Sequence, residues 1–195
     1  MRITGGIYRG RKVNPVDNPG IRPSKSMVRE ALFSILGPGY CEGLVVGDLF
    51  SGSGIMAIES LSRGSRTVYC VDSDLKSCRL IRANMERLKI DSGGTIYHLR
   101  VDKSLDSFAA QQIKFDLLFL DPPYRHPELG LQAIQQAIDT GILAPDAVAV
   151  LEHHRQARLT PLSGMELYKQ RRYGHTMLSF YRPDNNLNPA GSSHD

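Results

Sequence analysis

From residue 44 onward the chain alternates two patterns. Short, mainly apolar runs fall near 44–50, 67–71, 95–101, 115–120 and 147–152, and each predicts a buried strand. Between them, residues 55–63, 74–89, 103–112 and 128–139 carry apolar side chains at helical spacing, as in Leu75, Cys78, Ile81, Met85 and Leu88. Strand and helix in alternation predict a doubly wound α/β fold with a mostly parallel sheet. Two further strand-like runs, 166–173 and 176–182, flank Gly174-His175 and predict a closing antiparallel hairpin.

The first 43 residues follow another pattern. Residues 2–13 alternate with a period near two around Gly5-Gly6, which predicts a small β-hairpin. Pro15, Pro19, Gly20 and Pro23 then predict a loop over 14–24. Ser26 has the character of an N-cap for a helix that places Met27, Ala31, Leu32, Ile35 and Leu36 on one face and stops at Gly37-Pro38-Gly39. The organisation expected is an N-terminal extension (1–43), a main domain (44–182) and a tail (183–195) that lacks an apolar face and is expected to be disordered.

Charge separates the same segments. The net charge is +4 over 195 residues, but residues 1–30 hold seven cations against two anions, while the other 165 residues are close to neutral. A clustered basic segment suits a polyanion, and equally suits a solvated face. With 41% hydrophobic residues the chain can bury a substantial core, yet runs such as Leu117-Leu118-Phe119-Leu120 are far too short for a membrane span. No apolar stretch follows Met1-Arg2-Ile3-Thr4-Gly5-Gly6, so no secretory leader is expected. Cys41, Cys70 and Cys78 are odd in number and lack Cys-x-x-Cys spacing, which argues against a disulfide framework or a cysteine zinc site. A cytoplasmic monomer is the expectation.

Candidate chemistry begins where the first strand meets the first helix of the main domain. In Val46-Gly47-Asp48-Leu49-Phe50-Ser51-Gly52-Ser53-Gly54, the glycines permit positive φ and let a ligand approach the backbone. Gly52-x-Gly54-x-x-Ala57 also fits a dinucleotide site or a plain turn. The second strand ends at Asp72, where a carboxylate can accept from ribose hydroxyls or cap a helix beside Ser73 and Asp74. The third is expected to end at Val101-Asp102, where Asp102 can accept from an adenine amine or cap a helix.

The fourth strand runs straight into Asp121-Pro122-Pro123-Tyr124. Two prolines alone can end a strand, but that explains neither the acid before them nor the aromatic after them. A stiff corner would hold the Asp121 carboxylate and the Pro122 carbonyl as two acceptors for an exocyclic –NH₂, while Tyr124 stacks on the base. Phe50-Ser51-Gly52-Ser53-Gly54 with this tetrapeptide resembles S-adenosylmethionine-dependent amino-methyltransferases. With Arg22-Pro23-Ser24-Lys25-Ser26-Met27-Val28-Arg29-Glu30-Ala31-Leu32-Phe33, residues 1–182 resemble the bacterial family that methylates N2 of guanine 966 in 16S rRNA. Met27 stands where members of that family often carry arginine, which removes one expected phosphate contact.

The resemblance implies a Rossmann-like class I methyltransferase and no metal. It implies S-adenosylmethionine, leaving as S-adenosylhomocysteine, against Asp48, Phe50, Ser51, Gly52, Gly54, Asp72, Ser73, Asp102 and Asp121. Within that set Phe50, Gly52 and Gly54 line the methionine and ribose, Asp72 the ribose and Asp102 the adenine. Asp121, Pro122, Pro123 and Tyr124 form the catalytic corner, and Arg9, Arg11, Lys12, Arg22, Lys25 and Arg29 grip 16S rRNA within a small-subunit particle.

Rival readings remain open on the sequence. An adenine-N6 methyltransferase acting on DNA or other RNA fits the tetrapeptide but finds no insertion for a recognition domain. A pyrimidine-C5 enzyme needs a cysteine nucleophile near the corner, and none is adjacent. A non-catalytic RNA-binding assembly protein leaves the corner unexplained, and a nicotinamide oxidoreductase also leaves the basic segment unexplained. His153-His154 is expected on a surface loop, and Arg171-Arg172-Tyr173 on an exposed strand face that suits solvent and RNA equally.

Overall fold

Apolar runs without alternation belong on strands covered on both faces, and seven strands here form a single sheet. The computed structural model describes residues 1–16 and 24–184, with the side chains of Ser24 and Lys25 excepted. In chain order the elements are α1 (Ser24–Leu36), β1 (Val45–Leu49), α2 (Ile55–Ser62), β2 (Thr67–Asp72), α3 (Leu75–Leu88), β3 (Gly94–His98), α4 (Val101–Ala110), β4 (Phe115–Leu120), α5 (Glu128–Asp139), β5 (Leu143–His154), β6 (Met165–Tyr173) and β7 (Thr176–Pro183). The strand order is β3-β2-β1-β4-β5-β7-β6. The first five strands are parallel, and β7 runs antiparallel to both β5 and β6. The fold class expected from the sequence is the fold observed.

Two apolar layers sandwich the sheet. One gathers α1, α2 and α3 residues such as Leu32, Ile58 and Ile81 over Val46, Phe119 and Val150. The other sets Leu105, Phe108 and Ile134 from α4 and α5 against Leu118, Leu120 and Leu151. In that second layer Tyr69, Tyr97, Phe108 and Phe115 meet edge-on or tilted at 5.0–6.1 Å. Pairs of this kind add about 0.5–1.5 kcal/mol each beyond burial.

The N-terminal segment shares the first layer: Ile3, Val13, Val28 and Phe33 are buried in it. The hairpin expected over 2–13 is reduced to one antiparallel bridge, Arg2 to Lys12, with backbone bonds between Ile3 and Arg11 and a wide turn between them. Helix α1 starts at Ser24, before Ser26, and its buried stripe runs through Val28, Leu32 and Phe33, leaving Met27 62% exposed. The stripe is rotated because Arg29 turns inward.

Two further boundaries differ from the pattern. β3 stops at His98, and Val101-Asp102 opens helix α4 instead of ending a strand. The apolar residues Leu99 and Val101 had extended the run across a real boundary. β5 begins four residues early, at Leu143, since Pro145 and Asp146 interrupt the apolar pattern without interrupting the strand. His153 and His154 are its last two residues, so the surface loop expected for them is not what forms. Of the expected tail, residues 185–195 lie outside the described residues. No helix among the described residues is long and apolar enough to cross a membrane.

Candidate active site

In an open α/β sheet, ligands bind at the carboxyl edge where strand order reverses. Here the order reverses at β1, because β2 and β3 lie on one side and β4 on the other. Leu49 is paired with Val71 in β2 and with Leu120 in β4. The next residues, Phe50, Asp72 and Asp121, therefore leave three adjacent strands at one level. This register alone brings together three residues that are up to 71 positions apart in the chain.

The β1–α2 turn is tightly held. Phe50 has φ 66°, a region costly for a side chain that large, and such strain gathers at functional sites. Gly54 has φ 73°, and a Cβ there would meet Ile81 Cγ2 at 2.9 Å. Ser51 laces the turn to β2: its Oγ donates to the Asp48 carbonyl and accepts from Val71 N–H at 2.9 Å. The Asp72 carboxylate accepts from Gly52 N–H at 2.8 Å and Asp74 N–H at 2.9 Å. Helix α3 is capped by Asp74, which accepts from Lys76 N–H, so Asp72 is not needed as a cap.

Asp48 is buried beneath this turn, 3% exposed, with Oδ2 accepting from Ala57 N–H at 3.1 Å. Burial drives its pKa well above the usual carboxylate range, and the nearby Asp121 and Asp72 charges push the same way.

On the β4 side, Pro122 is buried and Asp121, Pro123 and Tyr124 are exposed. Gly130 of α5 allows the corner to pack, since a Cβ there would meet Pro122 Cγ at 3.2 Å and run into the Leu151 side chain. The Tyr124 hydroxyl is hydrogen-bonded to Thr176 Oγ1 at 3.0 Å, and the ring meets His154 edge-on at 6.1 Å. His154 in turn lies parallel to His175, 5.9 Å away.

Two cavities open along this edge. One, of about 330 Å³, is lined by Asp48, Phe50, Ser51, Gly52, Asp121 and Glu152, with Arg29 and Leu32 of α1. The other, of about 560 Å³, is lined by Phe50, Asp72, Ser73, Arg100, Asp102, Asp121 and Pro123. Phe50 and Asp121 line both, so the two spaces meet at these side chains. Asp102 reaches the second cavity from the first turn of α4, where it is paired with Arg100 at 3.0 Å. That bond holds its carboxyl below the ordinary range. The Cβ direction of Gly54 faces Ile81, and its backbone follows Gly52 and Ser53 of the cavity wall in the same turn. Among the described residues, no three His, Cys, Asp or Glu side chains gather as a metal site.

The candidate RNA-contacting cations separate into groups. Arg9, Arg11 and Lys12 are exposed on the N-terminal turn, with Arg11 donating to the Leu88 carbonyl at 3.2 Å. Arg22 and the Lys25 side chain lie outside the described residues. Arg29 does not face solvent. It is 3% exposed, pairs with Glu59 at 3.2 Å and donates to the Arg2 carbonyl. Its charge is consumed inside the protein, which corrects the expectation of an RNA contact.

Several residues were passed over in the sequence. Glu59, 0% exposed, accepts from Thr4 N–H, Gly5 N–H, Arg29 and Arg63, fastening the N-terminal segment and α1 to α2. Buried Asn84 donates to the Asn14 and Ser53 carbonyls, tying the same segment to the glycine turn. A polar residue on the apolar stripe of α3 was the available signal. For Glu152 the signal was that an acid follows its apolar run just as Asp72 and Asp121 follow theirs.

This sheet order, with a glycine turn and an acid–proline corner meeting at the switch point, defines an open α/β protein of the class I methyltransferase fold. The chain belongs to the family described as conserved hypothetical protein 95 (Cons_hypoth95), whose model matches residues 1–182. It is 33% identical over 184 residues to "Putative rRNA methyltransferase YlbH" of Bacillus subtilis, covering 93% of this chain and 98% of that protein. It is 31% identical to "Ribosomal RNA small subunit methyltransferase D" of Haemophilus influenzae, covering 93% of each. Among solved structures, "Putative methyltransferase yhhF" from Escherichia coli superposes with a TM-score of 0.79 at 27% identity, over 94% of this chain and 98% of that one.

Proposed function

We propose that this protein transfers a methyl group from S-adenosylmethionine to the exocyclic N2 of a guanine in 16S rRNA, guanine 966 by family likeness, within a small-subunit particle. The observation that carries the reading is the position of Asp121, which lines both cavities beside Phe50 at the switch point. The names of relatives aligned over 93% of the chain support rRNA as the substrate class.

The residues present fit the cofactor. Among the described residues, a Cβ at Gly52 would meet only Val16, at 3.6 Å, so the turn leaves space there for a ligand against its backbone. The second cavity carries acceptors for a nucleoside: Asp72 for ribose hydroxyls and Asp102 for an adenine amine, with Ser73 beside them. Phe50, Ser51 and Gly52 continue the wall toward Asp48 in the first cavity. Bound there, S-adenosylmethionine supplies an electrophilic methyl carbon.

The protein's own part is positioning. A guanine amine is a weak nucleophile because its lone pair is delocalised into the ring. The Asp121 carboxylate and the Pro122 carbonyl accept its two N–H bonds, which turns the lone pair toward the transferred carbon. Asp121 also stabilises the positive charge that develops on nitrogen, and the methylated amine becomes neutral by giving up one proton to solvent at this exposed corner. The buried Pro122 keeps the corner from moving, and Tyr124, anchored at Thr176, offers a ring to the extruded base.

The test is methyl incorporation from labelled cofactor into small subunits of a strain lacking the activity, alongside duplex DNA. Label in N2-methylguanine of the subunit RNA is expected; label in N6-methyladenine of either substrate would overturn the reading. With Asp121→Ala, turnover is expected to fall about 10²- to 10⁴-fold, the range for one positioned polar group, with cofactor affinity by calorimetry retained. Near-normal turnover would remove Asp121 from the mechanism.

A further inference from the structure

We infer that Glu152 selects guanine, by accepting the ring N1–H of the base whose amine is held at Asp121 and Pro122. The inference rests on the guanine-N2 reading above and deepens it, since that reading takes the identity of the base from family likeness alone.

Glu152 is placed by sheet register. Phe119 pairs with Val150 and Leu120 with Leu151, so Asp121 and Glu152 are the next residues on neighbouring strands. Phe119 and Val150 line the first cavity, and alternation along a strand returns residues two positions on to the same face. Asp121 and Glu152 both line that cavity accordingly. Adjacent strands lie about 4.8 Å apart, so the backbones that carry the two carboxylates flank the cavity at roughly that spacing. On its other side Glu152 pairs with Leu178, another cavity residue. An ionisable, half-buried side chain thus stands on a wall built from Phe119, Val150 and Leu178, where packing alone would favour an apolar residue.

The chemistry of the bases gives this acceptor a use. Guanine presents N1–H directly beside its N2 amine, two donors on one edge. Adenine presents an amine beside N1 with a lone pair. An ionised carboxylate only accepts, so beside the amine-binding corner it rewards guanine and repels adenine. Bases taken out of their stack are read on this edge, and charge-assisted bonds are the stronger kind. A site built to bond a donor rejects an analogue lacking it far better than shape alone can.

The experiment uses small subunits reconstituted with 16S rRNA carrying either guanine or 2-aminopurine at the methylated position. 2-Aminopurine keeps the amine but has an N1 that accepts. The unmodified enzyme should strongly prefer guanine. Glu152→Gln, whose amide can donate to N1, should raise the 2-aminopurine-to-guanine ratio of kcat/KM about tenfold or more, the discrimination typical of one base-edge bond. Glu152→Ala should raise it as well. Both substrates are measured on one preparation, so any loss of folded enzyme cancels in the ratio. A ratio unchanged in both variants overturns the inference while the guanine-N2 reading stands. If the unmodified enzyme makes no N2-methylguanine on the guanine subunits, that reading fails and the inference with it.

Discussion

Asp48 has its carboxylate removed from water beside two other acids, held by the Ala57 N–H. Its pKa is raised in the folded state, so the folded chain holds this proton more tightly than the unfolded chain does. The stability this proton confers is fully present below the ordinary carboxylate range and is lost as pH rises through the raised folded value. Asp48→Asn retains an oxygen for Ala57 and fixes the neutral form. Its melting temperature should match the parent at low pH and exceed it at pH 8, by about 2–4 °C for each kcal/mol of charge burial relieved. Superimposable curves at every pH would show that burying the charge costs nothing here. At this scale the Asp121–Tyr124 corner was legible, because packing gives no reason to set an acid and a tyrosine around two prolines. Arg29 was not. Its type marks it as a surface cation, and only the fold shows the buried Glu59 thirty positions away.

The elements most exposed to error were those joined by buried polar bonds. Glu59 on α2 holds the N-terminal turn through Thr4 and Gly5, and α1 through Arg29. Removing one partner of a buried ion pair strands the other, so Glu59→Ala should cost about 3–5 kcal/mol in denaturant unfolding. A loss below about 1 kcal/mol, the range of an exposed pair, would mean that this junction relaxes freely. The strands β1, β2 and β4 were legible as predominantly apolar runs, since both faces are covered. β3 was misjudged because Leu99 and Val101 continue its run past a helix start, and β5 because Pro145 looks like a terminus while the strand passes through it. The shifted stripe of α1 follows from the same cause as Glu59's role: a charge pair, invisible to hydrophobic periodicity, turns the helix.

Across the whole molecule, the glycine turn and the acid–proline corner meet at the carboxyl edge of the sheet, while the turn that carries Arg9 and Arg11 bonds to Ser62 and Leu88 at the C-terminal ends of α2 and α3. The basic segment is part of the main hydrophobic layer, and Asn84 ties it to the glycine turn. Its exposed cations Arg9, Arg11 and Lys12 remain available to phosphate. Replacing all three with Gln should weaken small-subunit or rRNA binding and lower the slope of log affinity against log salt by up to about three, near one per lost contact. An unchanged slope would move the RNA footprint elsewhere, with the exposed Arg155, Arg171 and Arg172 as the next cations to test.

The proposed reaction requires residues 121–124 to present an amine to a methyl carbon held along residues 50–54. A crystal structure with S-adenosylhomocysteine bound tests it most directly. The prediction is that adenosine lies against Asp72 and Asp102 and that the sulfur faces the Asp121–Pro122 corner, leaving room for a nitrogen about 3–3.5 Å from the transferred methyl. A sulfur directed away from that corner, or a ligand seated outside both cavities, would contradict it.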